Sequence, residues 1–298
     1  MKRVVSISLG SSHRDHAVEV ELLGERVRIE RIGTDGDMRR AQQMYRDLDG
    51  QVDAFGVGGT DLALRVDDKS YPLYSVLPLV AGVKETPVVD GGGLKHTLER
   101  RVMQVVEAEI GTTISPKTAL ITSAADRFGM AQSFADAGYD AVYGDLMFAL
   151  GLPIPIRGIK NLKRLAAVLL PIFGRLPFSM LYPTGEKQRQ NRPKFQQYYQ
   201  WASVIAGDFN YIYRHMPPRL DGKVVVTNTT TAADVETLRK AGVRYLATTT
   251  PRLEGRTFGT NVMEACLVAL AGLGRPLTDS EIEAMLQKLN LRPTVQAL

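Results

Sequence analysis

The sequence has a single cysteine in 298 residues, Cys266. One cysteine forms no internal disulfide and no metal site built from several thiolates. The residues around it, 261–270, have helical spacing, which favours a buried apolar thiol over a nucleophile. Long apolar runs are missing too, because the most hydrophobic stretch, 162–178, is interrupted by charged residues, Pro171 and Gly174. Since a membrane-spanning helix needs about 20 consecutive, mostly apolar residues, no integral membrane segment is expected.

Catalytic motifs with strong local signatures are also missing. The chain has no Gly-x-Ser-x-Gly elbow and no Walker loop, which argues against an α/β-hydrolase and a P-loop enzyme. His13 and His16 flank Asp15 in a polar loop, but two imidazoles do not complete a metal site. No metal ion is expected.

Charge is modest and scattered. The formal net charge is +5 and the sequence pI is about 9.2. No basic stripe interleaved with aromatic residues is apparent, so nucleic acid is not expected as a partner. A small anionic polyol as the ligand accounts for the excess of positive charge as well as nucleic acid does. The start, Met1-Lys-Arg followed by a short strand, lacks the apolar core of a signal peptide, so the expected location is the cytoplasm.

The length predicts two lobes, because a chain longer than about 250–300 residues usually divides into domains with separate hydrophobic cores. Residues 1–115 alternate short strands, hairpins and an amphipathic helix, which predicts an α+β lobe. Residues 116–298 contain five apolar runs that begin at Thr118, Asp140, Ser203, Lys223 and Val243. Helical segments and glycines separate several of them, which is typical of a Rossmann-like parallel sheet. The predicted fold class is therefore α/β.

Polar side chains gather where these runs end. Because parallel strands present their carboxyl ends at one edge of a sheet, we expect the side chains to meet over a shared crevice. Such groups suit a polyhydroxylated or phosphate-bearing ligand, although Asp, Asn and Thr also favour turns and caps. The candidates are Ser123, Asp126 and Arg127, then Asp145, Asp208, Asn228, Thr249 and Thr250, with Arg256 and Asn261 on the same side.

A glycine triplet, residues 91–93, opens a helix in the first lobe. Exposed amides at a helix start favour anions, and Lys95 lies in the first turn. A plain turn and cap is the alternative. The turn after the first strand of the second lobe, 123–129, retains only Gly129 of the dinucleotide fingerprint Gly-x-Gly-x-x-Gly. Asp126 would repel a pyrophosphate there unless it capped the helix or bonded a ribose, so the motif does not by itself predict a cofactor.

The segment 146–200 is too long for a simple connection. It contains a hydrophobic helix and a tight Pro-Thr-Gly turn that presents Lys187. We interpret it as a helical lid from which Lys187 contacts substrate; an exposed Lys187 without that role is the alternative. A dimerisation arm is the alternative, which would make the chain a homodimer.

The sequence resembles a group of prokaryotic proteins labelled quinate 5-dehydrogenase. The resemblance spans nearly the whole chain and rests on Ser8-Leu-Gly-Ser-Ser12, Arg31-Ile-Gly-Thr-Asp-Gly-Asp37, Asp53-Ala-Phe-Gly56, Ala125-Asp-Arg-Phe-Gly-Met130, Gly144-Asp145, Tyr182-Pro-Thr-Gly-Glu-Lys187 and Glu254-Gly-Arg-Thr-Phe-Gly-Thr-Asn261. The label implies an NAD(P)-dependent oxidoreductase that acts on a secondary alcohol of a cyclic polyol acid such as quinate or shikimate. It also implies a catalytic lobe joined to a Rossmann lobe.

That resemblance implies a catalytic lysine and aspartate, which this sequence matches by residue type as Lys95 with Asp126 or Asp145. The lysine would pass a proton to or from the substrate hydroxyl while a carboxylate sets its charge state. The implied cofactor is NAD or NADP. By their positions at strand ends and in the lid, the residues expected near the cofactor are Ser123, Arg127, Gly129, Asn228, Thr249 and Thr250, and those expected to bind substrate are Asp208, Lys187, Arg256 and Asn261. A non-redox binding protein, or a transferase or lyase using a sugar or nucleotide at the same strand ends, is the alternative.

Overall fold

The computed structural model describes residues 1–181, 190–250, 252–253 and 256–298. Its first sheet has the strand order β2-β3-β1-β4-β7. The strands are β1 (Lys2–Ser8), β2 (His16–Leu22), β3 (Glu25–Gly33), β4 (Ala54–Gly58) and β7 (Val88–Val89). Only β2 runs antiparallel among them, because it forms a hairpin with β3. The hairpin β5 (Ala63–Val66) and β6 (Lys69–Pro72) lies between β4 and β7 in the chain.

The second sheet has the strand order β10-β9-β8-β11-β12-β13-β16. Its strands are β8 (Thr118–Ile121), β9 (Asp140–Tyr143), β10 (Ile156–Arg157), β11 (Val204–Gly207), β12 (Val224–Thr227), β13 (Tyr245–Thr248) and β16 (Thr294–Ala297). The five central strands are parallel, and the two edge strands are antiparallel. The order reverses at β8 and β11, which is the point where ligands bind in open α/β sheets. The predicted α/β class with a Rossmann-like lobe is confirmed.

Helices cover both faces of both sheets. They are α1 (Met38–Leu48), α2 (Gly92–His96), α3 (Val102–Ile110), α4 (Phe128–Asp136), α5 (Asp145–Leu150), α6 (Ile159–Phe173), α7 (Phe178–Leu181), α8 (Gln196–Trp201), α9 (Phe209–His215), α10 (Ala232–Lys240), α11 (Thr260–Ala271) and α12 (Asp279–Lys288). Short 3-10 turns occur at Ser12–Arg14, Leu77–Leu79, Glu99–Arg101 and Gly111–Thr113, and a small ribbon pairs β14 (Arg252–Leu253) with β15 (Arg256–Thr257). Among the described residues, no helix has the length and apolarity required to cross a membrane.

The chain returns to the first lobe near its end. Helix α11 packs across β1 and β4, and α12 packs on α2. Conversely, Val102, Met103 and Val106 of α3 belong to the core of the second sheet. The predicted division at residue 115 therefore differs from the packing: part of the first segment lies on the second sheet, and α11 and α12 lie on the first.

Gly56 is one reason why α11 approaches the first sheet so closely. A β carbon on Gly56 of β4 would lie 2.9 Å from the carbonyl oxygen of Asn261. With only a hydrogen there, the start of α11 rests directly on the strand. Apolar residues along α11, among them Val262, Met263 and Cys266, are buried in that core. The thiol of Cys266 is fully buried, as its helical setting predicted.

The segment 146–200 contains most of α5, then β10, α6 and α7, and most of α8. Its longest helix, α6, packs against β5 and β6 of the first lobe. None of its described residues lines the cleft between the lobes. The described part of the segment therefore gives the lid interpretation no support. Apolar side chains on α6, such as Val168 and Ile172, remain exposed. The homodimer stays a prediction.

Candidate active site in the cleft between the lobes

A cleft of about 320 Å³ lies between the two lobes. The first lobe contributes the ends of β1 and β4, and the second contributes the residues that follow β8, β11 and β12. The start of α11 completes the lining. The polar and charged residues that carry the following description are Ser6, Ser8, Arg14, Arg31, Asp61, Lys95, Asp126, Arg127, Asp208, Arg214, Asn228 and Asn261. The convergence predicted for the second lobe therefore holds for the strands β8, β11 and β12.

Lys95 stands at the centre of an ionic group in this cleft. Its Nζ lies 2.5 Å from Oδ1 of Asp61 and 2.5 Å from Oδ1 of Asp126. The side chains of Lys95 and Asp61 are 8% and 11% exposed, whereas Asp126 is 26% exposed. Lys95 and Asp61 come from the first lobe and Asp126 from the second. The site is therefore assembled only when both lobes are in place.

Helix α2 carries Lys95, and two contacts fix its position. Oε2 of Glu264, on α11, accepts hydrogen bonds from the backbone N–H groups of Gly93 (2.9 Å) and Leu94 (3.3 Å). These amides at the helix start have no partner within the helix. On its other side, α2 meets α4 at Gly129, where any β carbon would collide with the carbonyl oxygen of Lys95. Gly129, predicted to bind a cofactor, instead allows two helices to touch.

The surroundings shift the pKa values of the two carboxyl groups in opposite directions. Burial raises the pKa of Asp61 to about 8. Burial acts in the same direction on Asp126, but the charges of Lys95 and Arg127 outweigh it, and the pKa of Asp126 falls to about 2 with help from a hydrogen bond to Asp61. Burial lowers the pKa of Lys95 less than its two carboxylate neighbours raise it. These directions favour a neutral Asp61 beside an anionic Asp126 and a charged lysine.

Arg127 ties the first lobe to the strand ends of the second. Its Nη1 donates to Oε1 of the fully buried Glu99, and its Nη2 donates to Oδ2 of Asp208 at 3.1 Å. The same oxygen of Asp208 accepts from Nδ2 of Asn228 at 3.0 Å. Asp208 also begins α9 by accepting from the N–H of Asn210. Arg127, Asp208 and Asn228 therefore hold one another as well as line the cleft.

Asp145 does not join Lys95. Its Oδ1 accepts from the N–H of Ala125 at 2.8 Å, and its Oδ2 accepts from the N–H of Ala124 at 3.3 Å. Burial raises its pKa to about 6 despite these hydrogen bonds. Of the two predicted partners of Lys95, Asp126 contacts the lysine, whereas Asp145 bonds the backbone of the turn after β8.

Three other residues predicted to bind a cofactor lie behind the cleft. Ser123, Thr249 and Thr250 are buried and are not among the residues that line it. The hydroxyl of Thr250 donates to the carbonyl oxygen of Asn228 at 2.7 Å. The sequence correctly placed these small polar residues at the ends of strands. It did not show whether each side chain is buried or lines the cleft, because both kinds of position have the same sequence pattern.

Of the predicted substrate ligands, Asp208 and Asn261 line the cleft. Asn261 donates from Nδ2 to Oγ of Ser6 at 2.7 Å. Lys187 lies outside the described residues, and the side chain of Arg256 is likewise outside the description, so both stay predictions.

Asp61 and three arginines line the cleft without having been predicted from the sequence. Asp61 follows Gly58-Gly-Thr at the end of β4, which is the same strand-end pattern that revealed Asp126 in the second lobe. Arg31 lies on β3, where its Nη1 pairs with Asp15 at 2.8 Å and its Nη2 donates to Oγ of Ser8 at 3.0 Å. Arg14 and Arg214 also line the cleft. Within the described part of the chain, no group of three or more His, Cys, Asp or Glu residues is arranged to hold a metal ion.

The fold and site define a two-lobed α/β protein with a polar, ionisable cleft between the lobes. Residues 93–298 match the family described as "Domain of unknown function (DUF8754)", and residues 3–90 match "Domain of unknown function (DUF8753)". Because the first match covers more than half of the chain, the chain belongs to the DUF8754 family. Neither description mentions quinate. No curated protein matches the chain.

Solved structures with similar folds include enzymes and binding proteins. The NAD-dependent malic enzyme from Thermotoga maritima is 12% identical over 95% of this chain and 75% of its own, with a TM-score of 0.40. A glucose-galactose binding protein from Geobacillus stearothermophilus is 9% identical over 100% of this chain and 96% of its own, with a TM-score of 0.39. A solute binding protein from Bacillus halodurans with bound myo-inositol is 10% identical over 96% of this chain and 98% of its own, with a TM-score of 0.34. Likeness at this level says nothing about what the chain binds.

Proposed function

We propose that this chain is an enzyme that transfers a proton at a hydroxyl group of a small, anionic, polyhydroxylated compound bound in the cleft. The observation that carries the proposal is the position of Lys95 within 2.5 Å of both Asp61 and Asp126. Titratable groups whose pKa values are pushed apart by their surroundings are typical of acid–base sites.

Asp61 is the residue suited to carry the proton. General acid–base catalysis is most effective when the pKa of the catalytic group lies near the working pH, and the pKa of Asp61 is about 8. In the anionic state its carboxylate accepts the proton of the substrate hydroxyl, so that one O–H bond breaks and another forms. In the neutral state it returns that proton to the substrate oxygen.

Lys95 stabilises negative charge rather than passing the proton itself. An ammonium group has three donors, and two of them are directed to Asp61 and Asp126. The third is available to a substrate oxygen in the cleft that Lys95 lines. Asp126 keeps the lysine charged, since its charge raises the pKa of Lys95 against the effect of burial. A fixed cation in a partly dry cleft stabilises an oxyanion more strongly than water does.

The rest of the lining suits a small polyol. Hydroxyl groups of Ser6 and Ser8 and amides of Asn228 and Asn261 reach the cleft. A volume of about 320 Å³ lies at the lower end of the range typical of small-molecule sites. The ligand expected there is a compact hydroxylated anion.

The turn after β8 does not fit the pyrophosphate of NAD or NADP. In dinucleotide-binding lobes the backbone amides of this turn face the pyrophosphate, and an acidic residue about 20 positions later binds the ribose. Here that later acid is Asp145, and its carboxylate occupies the amides of Ala124 and Ala125 itself. The turn therefore offers these amides to no phosphate, and the proton transfer described above needs no nucleotide. A non-redox reaction is the class this site favours. An example is the removal of water, in which a C–H bond and the neighbouring C–O bond break, a C=C bond forms, and the oxygen leaves as water with the proton that Asp61 returns to it; the addition of water is the reverse.

The second candidate is an NAD(P)-dependent oxidoreductase that acts on a cyclic polyol acid of the quinate or shikimate type, as the family resemblance implies. The Rossmann-like order of the second sheet favours it, because the cleft lies at the carboxyl ends of its parallel strands. The same residues, Lys95 and Asp61, would handle the hydroxyl proton. A nucleotide would have to bind away from the amides that Asp145 occupies.

Two measurements on the whole chain separate the candidates. Proton NMR in D₂O with quinate, shikimate and glycerate should show, without nucleotide, the product of water removal and deuterium at the carbon beside the hydroxyl, and Lys95→Met and Asp61→Asn should abolish both. The melting temperature with NAD or NADP is a second measurement, independent of activity. A nucleotide that binds the folded chain and is present at a hundred times its Kd adds about 2.7 kcal/mol to the free energy of unfolding. A clear shift, with reduction of the nicotinamide that depends on quinate or shikimate, would replace the non-redox proposal by the oxidoreductase.

A further inference from the structure

Two arginines of the cleft have positive charges that no carboxylate of the described residues neutralises. Arg14 ends a 3-10 turn in the first lobe and is exposed, and Arg214 lies on α9 in the second lobe and is half-buried. Both side chains line the cleft. They reach it from opposite lobes.

The other lysine and arginine side chains that line the described part of the cleft are already paired. Arg31 is bound by Asp15 at 2.8 Å, Lys95 by Asp126 and Asp61 at 2.5 Å, and Arg127 by Glu99 and by Asp208 at 3.1 Å. Asp90 also lines the cleft, and its carboxylate accepts hydrogen bonds from the backbone N–H groups of Leu62 and Gly92. Among the described residues of the cleft, the charge balance therefore leaves the guanidinium groups of Arg14 and Arg214 for a ligand.

Arg14 also lies close enough to Arg31 to affect its ionisation. Burial and the neighbouring charge of Arg14 both lower the pKa of Arg31, and Asp15 only partly offsets them. Two like charges held near each other repel, and an anion between them removes the repulsion. Guanidinium groups bind carboxylate and phosphate through paired hydrogen bonds, which makes arginine well suited to this task.

We infer that the natural ligand carries two anionic groups, one held at Arg14 beside Arg31 and the other at Arg214, as in a phosphorylated hydroxy acid. The inference rests on the proposed function, because the hydroxyl of this ligand lies at Lys95 between the two anionic ends. A single ligand then spans both lobes, and its binding favours the arrangement in which Lys95, Asp61 and Asp126 are together.

The test compares a dianionic and a monoanionic hydroxy acid. Binding of 3-phosphoglycerate and of glycerate is measured by calorimetry at constant ionic strength with the wild-type chain, Arg14→Gln, Arg214→Gln and the double variant. Arg164→Gln, an exposed arginine on α6 outside the cleft, is the control. We expect 3-phosphoglycerate to bind at least tenfold more tightly than glycerate, to lose about tenfold in each single variant, and to be unaffected by the control. Circular dichroism confirms that the variants are folded.

The inference is overturned if the two acids bind equally or if neither arginine variant weakens 3-phosphoglycerate. That result leaves the proposed function standing when Lys95→Met still weakens glycerate binding, because a monoanionic polyol then occupies the same site. If Lys95→Met changes the binding of neither acid, the proposed function fails together with the inference.

Discussion

The backbone of Gly129 rests directly against the carbonyl of Lys95, with no room for a β carbon between α4 and α2. We expect Gly129→Ala to push α2 away and to destabilise the protein by about 1–3 kcal/mol, as overpacking usually does. Urea unfolding measures the loss. Gln132 of the same helix is half-buried and its side chain donates to Asp136 within the helix, so Gln132→Ala should change stability by only about 0.5 kcal/mol. Equal effects of the two substitutions would contradict the close contact.

Asp61 and Asp126 should respond differently to the same substitution at neutral pH. Asp61 is neutral there, so Asp61→Asn replaces one neutral group by another and should change stability by less than about 1 kcal/mol. Asp126→Asn removes the counter-ion of the buried Lys95 and should cost about 2–4 kcal/mol. Denaturant unfolding of both variants tests the difference. If Asp61→Asn were the more damaging of the two, the assignment of the proton would be wrong.

Glu264 should make the protein less stable as the pH rises. Burial, with the nearby charge of Asp90, raises its pKa to about 8, whereas an unfolded chain has a glutamate pKa of about 4.3. The folded-state pKa is the higher one, so this contribution to stability is fully present below about pH 4 and is lost as the pH rises through about 8.

Glu264→Gln tests this pH dependence, because the amide oxygen still accepts from Gly93 and Leu94 but does not ionise. The variant should exceed the wild type by about 2–4 kcal/mol near pH 9 and match it near pH 4. The exposed Glu109→Gln on α3 is the control. A difference between Glu264→Gln and the wild type that stays constant with pH would refute the assignment.

Asp145 should stabilise the turn after β8. Asp145→Ala leaves the amides of Ala124 and Ala125 without their partner and should cost about 1–3 kcal/mol. Asp145→Asn keeps an oxygen acceptor and should lose less.

If the turn is closed to pyrophosphate by Asp145, neither NAD nor NADP should shift the melting temperature of the wild type. A clear shift with the wild type would show that the nucleotide binds despite this contact.

The parallel core of the second sheet was predictable because its strands are apolar runs, and glycines or helical segments separate several of them. The edge strand β16 was not, since Thr294–Ala297 is short and half exposed and its partner β13 is distant in the sequence. Strand-end aspartates were found correctly as a class. Whether each faces a cleft, as Asp126 does, or bonds its own turn, as Asp145 does, depends on neighbouring elements that local sequence does not specify.

The role of Asp61 could not be predicted from local sequence either. Its position after β4 resembles that of the predicted residues, but the approach of Lys95 depends on α2, which the return of α11 to the first lobe holds in place. Those contacts join residues about 170 positions apart. No pattern of neighbouring residues encodes them.

The state of the carboxyl pair tests the central claim most directly. We would label the aspartate carboxyl carbons with ¹³C and follow their NMR signals with pH in the wild type and in Asp61→Asn. One carboxyl should titrate near pH 8, the pKa of Asp61, should be absent in Asp61→Asn, and should move when a hydroxylated anion such as glycerate binds. A wild type in which no aspartate signal titrates near that pH would contradict the account.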